Sequence, residues 1–201
     1  MTDSDKARIT GAIREAETRT AGEIFCVIAR QSSSYRLVPL AWASALALLV
    51  PFPLLVFSTW PPSAIYIVQL AVFAIAAVVL LQPAIRFRIV PRQRKHDRAH
   101  AEAMRQFFAH GLDRTAQRTG VLIFASAAER YAEIVADAGI NDRVSKQVWD
   151  EAVAALIDGI RDNRPGDGFV AAIEKCGAVL AAHFPPGALQ RDELPDKLVE
   201  L

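Results

Sequence analysis

Four carboxylates, Glu23, Glu129, Asp137 and Asp142, fall at the ends of short apolar runs, where strands stop and turns begin. Glu23 opens one such run, and the other three lie around a pair of them, so the four are expected to converge at one edge of a sheet. Hard oxygen ligands of this kind suit Mg²⁺ or Ca²⁺. The structural alternative makes Glu129 and Arg130 a turn ion pair, with Asp137 and Asp142 as turn and helix N-cap acceptors.

Other chemistry has weaker support. His96 and His100 share a helix face at i and i+4, with Asp97 between them, but two ligands do not make a zinc site and both are expected to be solvated. No serine or cysteine sits in a nucleophile elbow or beside a histidine in sequence. Gly166-Asp167-Gly168 is too short to cradle a phosphate. Cys26 and Cys176 each stand alone in an apolar stretch and read as buried thiols, with neither a zinc pair nor a disulfide framework.

Helical periodicity over residues 4–20 (Ile9, Ala12, Ile13, Ala16) predicts an amphipathic helix, and Glu23–Ala29 a buried strand. Ala99, Ala103, Met104, Phe107 and Phe108 predict a helix over 95–111. Strands follow at Val121–Ser126 and Tyr131–Ala136, joined closely enough to be antiparallel. Two further helices run from about Arg143 to Arg161 and from about Gly168 to His183, before a polar tail without periodicity.

The apolar excess is concentrated between the first strand and the second helix. Apolar residues make up 52% of the 201 residues and the mean hydropathy is +0.21, high for a soluble domain. Leu37–Phe57 and Ala64–Ile85 carry no charge, and at ~1.5 Å per residue each crosses roughly 30 Å of hydrocarbon. Two such runs, with only Ser58 to Ser63 between them, predict a transmembrane hairpin with Trp60 at the interface. Pro51 and Pro53 predict a kink in the first span.

Arg30 and Arg36 precede the hairpin, and Arg86, Arg88, Arg92, Arg94, Lys95 and Arg98 follow it, while the connector has no basic residue. The positive-inside rule therefore puts both termini and the folded domain in the cytoplasm, at the inner (plasma) membrane. The first residues are mixed in charge without an apolar h-region, so insertion is expected to rely on the internal spans rather than a cleavable signal peptide. The basic run suits anionic headgroups. A net charge of +1, from 23 basic and 22 acidic residues, argues against nucleic acid as a partner.

The organisation that follows is an α/β domain begun at 1–34, a first span and connector at 35–63, a second span at 64–86, the main part of the domain at 87–184, and a polar tail at 185–201. The chain resembles the TPM-domain family, in its bacterial integral-membrane branch. The resemblance is carried by Ala16-Glu17-Thr18-Arg19-Thr20-Ala21-Gly22-Glu23-Ile24, Arg118-Thr119-Gly120-Val121-Leu122-Ile123, Ala128-Glu129-Arg130-Tyr131 and Ile134-Val135-Ala136-Asp137-Ala138-Gly139-Ile140, with Trp149, Gly168 and His183-Phe184-Pro185-Pro186 beyond. It implies a TPM-like mixed sheet with flanking helices, interrupted here by the hairpin, and brings phosphatase activity from plant relatives.

Two functions are therefore carried forward. One is a membrane-anchored accessory module that binds the bilayer and another membrane protein without catalysis. The other is a divalent-metal-dependent phosphatase-like hydrolase in which Glu129 and Asp137 hold the ion.

Overall fold

The computed structural model describes residues 1–115, 117–144, 146–186 and 194–201. The chain divides into two compact units, an α/β unit of residues 1–32 and 96–201 and a helical unit of residues 33–95.

The α/β unit opens with α1 (Asp3–Glu17), whose start is fixed by a capping box. The Thr2 hydroxyl accepts from the Asp5 N–H at 3.2 Å, and the Asp5 carboxylate accepts from the Thr2 N–H at 3.1 Å. Ile9, Ile13 and Ala16 form its buried face. Strand β1 (Glu23–Ala29) follows as expected, then the helical unit, α6 (Arg92–Ala109), β2 (Gly120–Ser126), β3 (Tyr131–Ala136), short α7 (Ala138–Asn141), α8 (Lys146–Arg161), α9 (Pro165–His183) and β4 (Leu198–Glu200).

The sheet order is β3-β2-β1-β4. β1 runs parallel to β2 and β4, and β2 antiparallel to β3. Central strands buried on both faces read as continuous apolar runs, as β1 and β2 do. Ile24, Cys26, Val121 and Ile123 pack on the face that holds Ile9, Leu156, Phe169 and Ile173; Phe25, Val27, Leu122 and Phe124 pack on the face that holds Ala99, Ala103 and Phe107. Cys26 and Cys176 are fully buried free thiols, and burial pushes both up, Cys176 to about 12.

Several boundaries differ from the sequence expectation. α6 starts earlier, directly after Pro91, and ends before Gly111, whose φ of 72° lies in the left-handed region. α9 begins at Pro165, a residue preorganised for a first helical turn. The expected polar tail is corrected in its last residues: Leu198–Glu200 add a parallel strand to β1, and the Leu201 N–H donates to the Ile28 carbonyl at 2.9 Å. Part of that tail, 187–193, lies outside the described residues.

The helical unit contains α2 (Leu37–Leu49), α3 (Pro51–Phe57), α4 (Pro62–Leu81) and α5 (Pro83–Ile89). The first apolar run breaks at Val50, where Pro51 lacks the N–H that would continue the ladder. The second ends at Leu81 instead of Ile85, because Pro83 drives Gln82 out of the helical region to ψ 135°. Leu37–Phe57 and Pro62–Leu81 are long and apolar enough to cross a membrane.

Candidate functional site

The four carboxylates are divided between the two ends of the sheet. Glu129 lies in the β2–β3 turn, beside the ends of β1 and β2. It is buried, accepts from the Ser32 N–H at 3.0 Å and from the Ser126 hydroxyl, and so fastens the chain leaving β1 to the turn. These contacts replace the expected pairing with Arg130.

Asp137 lies at the other end of β3. It caps α7 through the Ala138 N–H at 2.6 Å, stands 3.5 Å from the Arg118 guanidinium, and donates its own N–H to the Gly120 carbonyl at 2.9 Å. Glu23, also buried, pairs in register with Gly120 across the β1–β2 ladder. Asp142 is exposed at the end of α7. The strand order thus brings Glu23 and Asp137 to either side of Gly120 and keeps Glu129 away from them. Among the described residues no three acidic, histidine or cysteine side chains gather as metal ligands.

Both histidines are exposed, as expected, and each also has a neighbour. His100 Nδ1 lies 2.9 Å from the Glu133 carboxylate, which also accepts from the Tyr131 hydroxyl at 2.9 Å, and the His96 ring meets Tyr131 edge-on at 5.2 Å. Burial, then the hydrogen bond and charge of Glu133, raise the Tyr131 phenol above its ordinary range. These contacts attach α6 to one side of β3.

On the other side of β3 runs α8, in the opposite direction. Two cavities, of about 510 and 500 Å³, follow the strand and share Tyr131 and Ala132. Trp149 and Val153 of α8 line the first, beside the end of β3; Ile157 and Ile160 line the second, beside its start. Their spacing is one stripe of a helix. No sequence pattern announced this groove, although the apolar stripe itself was visible.

Residues 82–179 match the family model described as the TPM domain. Over this stretch, just under half of the chain, the sequence is similar to the TPM domain. The matched stretch includes β2, β3 and the groove, whereas α1 and β1 precede it in sequence and still complete the sheet. The NMR structure of BA42 protein from the psychrophilic bacterium Bizionia argentinensis is similar with a TM-score of 0.63 at 23% identity, covering 100% of this chain and 95% of that one. At this identity the likeness shows a shared fold. No curated protein matches the chain.

Proposed function

We propose that this TPM-domain protein is anchored in the inner membrane by its hairpin, and that its α/β unit is a non-catalytic accessory module for another membrane protein. The observation that carries the anchoring is the surface of the helical unit. Leu48, Phe52, Leu55, Ile67, Ile75 and Val78 are 65–73% exposed, an apolar surface suited to lipid rather than water. The basic run from Arg86 to Arg98 orients the domain to the cytoplasm. The accessory role is favoured by Glu129, whose carboxylate is committed to the Ser32 and Ser126 contacts.

One observation favours the second reading, a divalent-metal-dependent phosphatase-like hydrolase. Glu23 and Asp137 are buried on either side of Gly120 and fit Mg²⁺ or Ca²⁺ as oxygen donors, although Arg118 already faces Asp137 and Glu129 cannot join them. Such an ion supplies Lewis-acid activation of water when bound. The deciding measurement is hydrolysis of p-nitrophenyl phosphate by the purified full chain with Mg²⁺ or Ca²⁺. The accessory reading expects no turnover above an empty preparation; metal-dependent turnover abolished by Asp137→Asn would overturn it.

A further inference from the structure

We infer that the outer edge of β3 is a strand-addition site for an extended segment of a partner protein, laid antiparallel to β3 with a basic residue at its N-terminal end and an acidic group at its C-terminal end. This deepens the accessory-module reading and rests on it.

Register shows which backbone groups are open. The Asp137 N–H bonds the Gly120 carbonyl, so in this antiparallel ladder the residues opposite β2 at Val135, Glu133 and Tyr131 bond inward, and Ala132, Ile134 and Ala136 turn their N–H and C=O groups outward. The Ala136 carbonyl is met by the Asn141 side-chain amide at 2.8 Å. Ala132 and Ile134 have no outward backbone partner among the described residues, which leaves donors and acceptors two residues apart, the repeat that an added strand reads.

The groove selects one occupant. Its walls, His100 and Met104 from α6 and the Val153–Ile157 stripe from α8, rise on both faces of the sheet. They admit one extended chain with alternate apolar side chains and obstruct a second copy's sheet, which carries the same walls. Charge sets direction: Asp150 lines the cavity at the end of β3, while Arg130 and Arg161 line the one at its start. An antiparallel segment places its N-terminal end at Asp150 and its C-terminal end at the arginines.

The probe is a random heptapeptide phage library panned on the immobilised full chain in detergent, followed by titration of the best peptide, fluorescein-labelled. Enriched sequences are expected to alternate apolar residues between a basic start and an acidic end. Methylating alternate peptide nitrogens on the β3-facing edge should weaken binding by about tenfold or more. Ile134→Pro, which removes an outward N–H while sparing the β2 ladder, should do the same; because Ile134 also packs against the core, Ile134→Ala, which keeps the N–H, is the control for lost packing and should weaken binding less. The double variant Asp150→Lys with Arg161→Glu, both exposed, should prefer the charge-reversed peptide. Absence of enrichment, binding indifferent to N-methylation, to Ile134→Pro or to the charge exchange, or a peptide-competed dimer of the full chain would each overturn the proposal. The outcomes separate the two readings: metal-dependent phosphate hydrolysis defeats the accessory reading itself, whereas binders insensitive to Ile134→Pro with no hydrolysis leave it standing and remove only the β3 site.

Discussion

Glu129 and Asp137 stand at opposite ends of β3, roughly 20 Å apart at ~3.3 Å per residue. Two carboxylates that close in sequence look like partners in one site, yet an extended strand between them keeps them apart. Their roles should therefore separate experimentally.

Glu129→Ala is expected to lower stability by about 2 kcal/mol, because it strands the Ser32 N–H and the buried Ser126 hydroxyl. Thermal melts of the variant check this. Any rise in melting temperature caused by Mg²⁺ or Ca²⁺ should persist in Glu129→Gln and disappear in Asp137→Asn. Loss in both variants would mean that the two residues share a site after all.

Glu17 predicts a pH dependence. Burial first, then the hydrogen bond with Asp196 and the charges of Glu23 and Asp196, push its carboxyl up to about 9, against the lowering effect of the Ile24 N–H it accepts at 2.8 Å. The folded state then keeps a proton that the unfolded chain loses above about 4.5. This contribution is full below pH 4.5 and declines as pH rises toward 9. Glu17→Gln, which resembles the protonated form, should flatten that decline and melt higher than the parent at pH 8. An unchanged pH profile would contradict the assignment.

α8 and α9 cross at their glycines. A Cβ on Gly159 would lie 2.4 Å from the Gly168 Cα and 2.6 Å from its nitrogen, both backbone atoms that cannot swing aside. Helix propensity alone favours alanine over glycine by about 1 kcal/mol, whereas overpacking costs about 1–3 kcal/mol. Gly159→Ala is expected to destabilise, by denaturant titration, despite the gain in propensity. A more stable variant would show that the crossing can relax.

The elements legible in the sequence were those whose signal is local. β1 and β3 announced themselves as short runs of β-branched and aromatic residues, and α8 by its stripe from Trp149 to Ile160. β4 was not legible, because Leu198–Glu200 has too few residues for a period and forms only by pairing with β1, far away in sequence. The His100–Glu133 pair and the open groups of Ala132 and Ile134 depend likewise on strand order and register. Those same two properties separate Glu129 from Asp137, which is why residue type and spacing alone suggested that they converge.

The hairpin makes the last prediction. Pro61 and Pro62 start α4 immediately after a connector without basic residues, so the connector carries nothing that retains it on the cytoplasmic side. On the proposed topology the cluster from Arg86 to Arg98 retains the chain that follows on the cytoplasmic side. A phosphatase-type export reporter fused after Ser63 should be active and one fused after Leu201 inactive, with a cytoplasmic fluorescent reporter giving the reverse. Replacing Arg86, Arg88, Arg92 and Arg94 by glutamine should lower the activity ratio between the two fusions, because it removes the asymmetry that orients the spans. If the ratio is inverted in the parent chain, the domain lies outside; if both fusions stay inside, the apolar helices do not cross.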